Sequence, residues 1–204
     1  MKKIILLLLP LIITLNSQNI KANPNNVQNW LNVEINKIID LYRDENIDTI
    51  VRLNAIEDAI NKNFAGTGIA RFVVGSVWKE SNELDQKEFI KQFKKHLYLT
   101  IGSLMQGYSN QTFTVINSKE DKNQGVYLID IEIEQNEQKT IVTWRVKESK
   151  NKFYVIDLIV ADVSLVVTKR AEFSSMLKKV DNNLGELNNL LKDQNLQSYN
   201  KLIN

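Results

Sequence analysis

The feature that most constrains this chain is a run of period-two apolar alternation from residue 127 to residue 160, broken at Asn136-Glu137 and again at Ser149 to Asn151. Successive side chains of an extended strand point to opposite faces, so Tyr127, Ile129, Ile131 and Ile133 share one face. A two-residue turn at Asn136-Glu137 sets them opposite Val146, Trp144, Val142 and Thr140. The next turn brings Tyr154, Ile156, Leu158 and Val160 opposite the same Val146, Trp144, Val142 and Thr140. Three strands thus agree on one oily surface, which a slip of one residue would turn toward water. The reverse face sets Asp130, Glu132 and Glu134 against Lys139, Thr143 and Arg145, a pattern for ion pairs across the ladder. Alternation that begins at Gln111 and turns at Lys119 to Asn123 adds one more strand, giving a meander of about four.

A sheet with one apolar face needs cover, and the flanking segments have helical spacing. Val27, Trp30, Leu31, Ile35, Ile38 and Leu41 recur every three or four residues, followed by Leu53, Ile56, Ile60 and Phe64. After Ala65-Gly66-Thr67-Gly68, a short apolar helix is predicted over residues 69–78, with Gly75 inside it allowing close packing. A longer helix capped by Ser81 carries the stripe Leu84, Phe89, Phe93, Leu97, Ile101 and Leu104. The helical period returns after Ala161 through Leu165, Val166, Phe173 and Leu177, then Leu184, Leu187, Leu190 and Leu191. Helices, meander, helices is the order of an α+β fold, with a curved antiparallel sheet packed against N- and C-terminal helices.

At the N-terminus, Lys2 and Lys3 precede an apolar run from Ile4 to Ile13, and a polar stretch ends in Ile20-Lys21-Ala22. This is the layout of a secretory signal, and its apolar part is about half of the ~20 residues that span a bilayer. Cleavage after Ala22 is expected, leaving residues 23–204 as one domain large enough to be stable without disulfides. The chain has no cysteine, which excludes thiol redox chemistry and attachment through a lipidated thiol. The whole chain has a formal charge of +2; removing Lys2, Lys3 and Lys21, with no acid among the first 22 residues, leaves −1. A chain so nearly neutral lacks the clustered basic surface expected of a nucleic-acid binder.

Reactive constellations are scarce. His96, the sole histidine, lies mid-helix with no cysteine to complete a zinc or thiol site, and reads as a helix-surface residue. Asp130, Glu132 and Glu134 lack the glycine-containing loop of a calcium site and read as a solvated strand face. Asp157, among large apolar strand neighbours, could be a general base in an apolar pocket or a buried partner of Arg145 and Thr143. Gly66-Thr67-Gly68 joins two helices, so it is a connection rather than a phosphate loop. What stands out is the aromatic and aliphatic surface turned inward, which fits a filled core or a hydrophobic cavity equally well.

Two segments carry a family likeness. Ile69-Ala70-Arg71-Phe72-Val73-Val74-Gly75-Ser76-Val77-Trp78, with Gln86-Lys87-Glu88-Phe89 and Phe93, resembles the glycine, tryptophan and phenylalanine pattern of the MlaC, or toluene-tolerance auxiliary, family. Phe153 to Val160, leading to Val163-Ser164-Leu165 and then Thr168, Arg170 and Phe173, resembles that family's second signature. The chain departs from the pattern at Asp162, where glycine is usual, and at Ile101, where an aromatic residue is common.

The resemblance implies a periplasmic, monomeric carrier of glycerophospholipid that needs no cofactor or metal and maintains outer-membrane lipid asymmetry. Its implied partners are an inner-membrane ABC transporter bearing an MCE-domain ring and an outer-membrane lipoprotein complex. The acyl chains would lie between sheet and helices. The residues expected to line that space are Val74, Trp78, Phe93, Leu97, Tyr127, Ile129, Val142, Trp144, Ile156, Leu158, Val166 and Phe173. The competing class is a small-molecule enzyme on a cone-shaped α+β scaffold that uses Asp157; a filled core with no ligand is the third reading.

Overall fold

The computed structural model describes residues 23–108, 110–123 and 125–204, so the expected export signal lies outside the described residues. Five helices come first: α1 (Pro24–Arg43), α2 (Thr49–Asn63), α3 (Gly66–Val74), α4 (Val77–Glu80) and α5 (Glu83–Met105). The strands β1 (Thr112–Glu120), β2 (Val126–Gln135), β3 (Gln138–Ser149), β4 (Lys152–Val160) and β5 (Val163–Ser164) follow, then α6 (Leu165–Lys178) and α7 (Leu184–Ile203). The five strands form one antiparallel sheet in chain order. The α+β order expected from the apolar periods is the order observed, with the two-residue β5 as an addition.

Local chemistry fixes the helix starts. Asn23 caps α1 by accepting from the Asn25 amide, and Pro24 follows at the first position, where its missing N–H costs nothing. Asp48, Ser164 and Asn183 cap α2, α6 and α7 in the same way. The cap of α5 is Asn82, one residue beyond the expected Ser81; its side chain accepts from the Asp85 amide. The single helix expected over residues 69–78 is instead split at Gly75, whose φ of 59° and ψ of −129° suit glycine alone. This break separates α3 from α4, so Gly75 acts through its backbone as well as through close packing, where a Cβ would lie 3.2 Å from Arg170 Nη2.

The β2–β3 register is the expected one: Tyr127, Ile129, Ile131 and Ile133 face Val146, Trp144, Val142 and Thr140. Asn136 and Glu137 both have positive φ, the geometry of the tight turn whose twist matches the strands it joins. The β3–β4 register differs. Trp144 faces Leu158, Val142 faces Val160 and Val146 faces Val155, with Ile156 left over at a bulge beside Arg145. A bulge adds one residue to one strand and reverses the alternation beyond it. Phe153 and Val155 therefore pack on the apolar face in place of Tyr154 and Ile156. Asp162, standing where glycine is usual, takes φ of 63° beside Ala161 at 47°, so the β4–β5 turn forms without glycine.

The interior has three parts. Val27 and Leu31 of α1 pack on Tyr127, Ile129, Ile131, Val146 and Val155 of the sheet. Leu53, Ile56 and Ile60 of α2 pack on Tyr98 and Leu99 of α5 and Leu202 of α7. The third part joins α3, α5, α6 and α7 around Phe89, Phe93 and Phe173, whose rings lie 5.5–5.8 Å apart. Phe64, just past α2, touches all three, and the next amide, Ala65, bonds the Val155 carbonyl at 2.9 Å. The reverse face pairs its charges as the sequence suggests: Lys139 meets Glu132 at 2.8 Å, and Thr143 donates to Asp130 at 2.6 Å.

Candidate functional site

Between the apolar face of the sheet and α1, α2 and the end of α5 lies a cavity of about 320 Å³. Its sheet wall is Phe113 of β1, Ile133 of β2, Val142 and Trp144 of β3, and Val155, Leu158 and Val160 of β4. Its helical wall is Trp30, Leu31, Ile35, Ile38 and Ile39 of α1, Ile56, Ala59 and Ile60 of α2, and Ile101, Leu104 and Met105 of α5, with Phe64 between helix and strand. Glu34 and Asn63 are the polar exceptions.

Those two form one contact: Asn63 Nδ2 donates to Glu34 Oε2 at 2.7 Å. Lys37, one turn along α1, donates to Glu34 Oε1. Burial raises the Glu34 pKa, but the bonds from Lys37 and Asn63, with the charges of Lys37 and Lys62, outweigh it and hold the carboxyl below its usual range. Glu34 is therefore an ionised side chain at the margin of an apolar space.

Of the residues expected to line a cavity, the structure brings Val142, Trp144 and Leu158 together there. Tyr127 and Ile129 share their sheet but are sealed beneath α1. Ile156 is the bulge residue and lies outside the lining. Val74, Phe93 and Phe173 are buried in the helical core, with Trp78, Leu97 and Val166 packed against it. The residues not anticipated are those of α1 and α2, the end of α5, Phe64, and Phe113, Ile133, Val155 and Val160 of the sheet. The helical stripes were legible, but nothing in a stripe tells which neighbour it covers. Ile101, where the family pattern often has an aromatic residue, lines the cavity and leaves room that a ring would occupy.

Asp157 is placed elsewhere. It is 6 % exposed and accepts from the Leu158 amide at 2.8 Å, Ser164 Oγ at 2.7 Å and the Val166 amide at 3.1 Å. Arg145 Nη1 stands 3.9 Å away, and the side chain is no part of the cavity lining. Its partners make it a fastener between β4 and the start of α6.

His96 is not the surface residue its position suggested. Its side chain is 17 % exposed, its ring meets Phe173 edge-on at 5.9 Å, and Nε2 lies 3.1 Å from Lys169 Nζ. Burial first, and then the Lys169 charge, lower its pKa to about 4 against a weaker opposing pull from Glu172. The unfolded chain takes up this proton near pH 6.5, the folded chain only near pH 4, so stability is lost as pH falls through that window. His96→Gln is expected to reduce the stability lost between pH 7 and pH 4.5 by roughly 2–3 kcal/mol, as read by urea denaturation of both proteins at each pH. Equal losses in the two proteins would show that the ring takes up its proton as readily in the folded as in the unfolded chain.

A family model described as MlaC protein matches residues 33–193. Among solved structures, the chain resembles a phospholipid-binding protein from Ralstonia solanacearum, determined in complex with a phospholipid, with a TM-score of 0.69. The two are 17 % identical over 87 % of this chain and 99 % of that one, a likeness of fold. No curated protein matches. Among the described residues no helix is long and apolar enough to cross a membrane.

Proposed function

The chain belongs to the MlaC family, and from that premise we propose that it is a periplasmic carrier of glycerophospholipid, holding the acyl chains in the cavity between the sheet and α1, α2 and α5. The observation that carries this reading is the lining itself. About 320 Å³ of space, open to solvent, stays unfilled in a protein of this size, and its walls are hydrocarbon except at Glu34 and Asn63. Each methylene moved from water into such surroundings gains about 0.8 kcal/mol, so a chain can leave a membrane only for an enclosure of this kind.

Few polar contacts are needed for such work, which accounts for a lining without a reactive group. The exported carrier passes lipid between an inner-membrane ABC transporter with an MCE-domain ring and an outer-membrane lipoprotein complex, acting as a monomer without cofactor or metal. The enzyme alternative loses its candidate base, since Asp157 is held by Leu158, Ser164, Val166 and Arg145 outside the cavity.

The test is transfer between membranes. Purified protein is mixed with donor vesicles containing labelled phospholipid and with unlabelled acceptor vesicles, and label in the acceptor is followed over time. Transfer whose rate rises with protein concentration is expected; label that stays in the donor at every concentration rules out carriage.

A further inference from the structure

The cavity has one polar end, and its charges are unlike each other. Glu34, midway along α1, is the one charged side chain in the lining, and Asn63, the last residue of α2, is its neighbour. Outside them stand two exposed ammonium groups: Lys37, bonded to Glu34, and Lys62, paired with Asp58 at 2.8 Å. A carboxylate at the margin of the apolar space thus sits inward of two cations at the surface.

A head group set against hydrocarbon would lose its hydration without replacement, and Glu34 and Asn63 are the place in the lining that offers a bound lipid polar partners. A carboxylate offers about four acceptor positions, and among the described residues Glu34 uses one on each oxygen. Two remain for a donor that arrives with the ligand. Lys37 has three N–H donors and commits one to Glu34, leaving two for a phosphate.

We propose that Glu34 is a specificity-determining residue that favours phospholipids with an amine-bearing, zwitterionic head group, by accepting from the head-group ammonium while Lys37 and Lys62 meet the phosphate. The inference rests on the carrier reading, since it assigns the head group of a lipid whose chains that reading places in the cavity. An anionic lipid with a hydroxylated head group meets the same phosphate contacts but brings no ammonium from which the Glu34 carboxylate can accept.

The experiment uses purified, delipidated protein incubated with vesicles of equimolar phosphatidylethanolamine and phosphatidylglycerol. Protein-bound lipid is then extracted and quantified by mass spectrometry. Wild type is expected to be enriched in the ethanolamine lipid relative to the vesicles. Glu34→Gln keeps the shape and the contact with Asn63 while removing the charge, and should lower that ratio about fivefold. Lys37→Gln should move the ratio the other way, and it keeps the test decisive if the Glu34 variant does not fold. A wild type without enrichment, or variants with the wild-type ratio, would overturn the proposal while total uptake still supported the carrier. Wild type that takes up neither lipid would overturn both.

Discussion

Val142→Arg is expected to leave purification with roughly thirtyfold weaker hold on phospholipid than wild type, the equivalent of about 2 kcal/mol. Val142 is 9 % exposed and sits mid-strand between Ile131 of β2 and Val160 of β4, with its side chain in the cavity wall. An arginine there displaces two or three methylenes of a bound chain and brings a charge that has no partner among the neighbouring isoleucines and valines. Val142→Trp fills the same space without charge and should lose lipid as well. The pair separates occlusion from polarity: loss in both identifies volume as the cause, and loss in the arginine variant alone identifies desolvation. The readout is lipid bound per protein after extraction, with circular dichroism checking the fold. Normal lipid content in both variants would remove Val142 from the lipid's path.

The second large effect concerns stability. Asp157→Ala is expected to cost about 2–4 kcal/mol in urea denaturation, because it leaves buried donors without an acceptor at about 1–3 kcal/mol each. The substitution abandons the Leu158 and Val166 amides and the Ser164 hydroxyl at a site only 6 % exposed, while Arg145 keeps Asp121 at 3.7 Å. Because the Val166 amide belongs to the first turn of α6 and Ser164 caps it, the loss should be concentrated at the β4–β5–α6 junction, visible as early hydrogen exchange there. Asp157→Asn, which keeps an acceptor for the amides, should cost less and leave lipid uptake per folded molecule unaltered. A midpoint for Asp157→Ala within experimental error of wild type would show that these contacts do not hold the junction.

The parts of the fold that were legible in the sequence are those fixed by local rules. The β2–β3 pairing follows from a two-residue turn at Asn136-Glu137 and an unbroken alternation on either side, which leave a single register with the isoleucines inward. The next pairing escaped because a bulge has no signature in hydrophobicity. Both Ile156 and Val155 are apolar, so residue type does not tell which of them faces the core. Gly75 was legible as a small residue for packing, but not as the positive φ that ends α3 and begins a new helix.

The cavity was legible only on its sheet side, for a related reason. Period two assigns a face to a strand, and a sheet with one apolar face has one place to put it, so Val142, Trp144 and Leu158 were identifiable. A helical stripe carries no such address. Phe93 and Phe173 have the residue types of a binding pocket and pack instead against each other and Phe89, while Ile35, Ile38 and Ile56, ordinary in type, form the wall opposite the sheet. Glu34 was invisible for the opposite reason. A carboxylate on an amphipathic helix with lysine three residues on reads as a surface pair, and its place in the lining depends on Asn63, 29 residues away.

The most direct measurement of lipid carriage is native mass spectrometry of the purified protein, with organic extraction and identification of what is bound. The account predicts a mass increment of one phospholipid on most molecules, recovered as intact lipid in the extract. A protein that arrives empty, and stays empty after incubation with phospholipid vesicles, would leave the fold in place and contradict the carrier function.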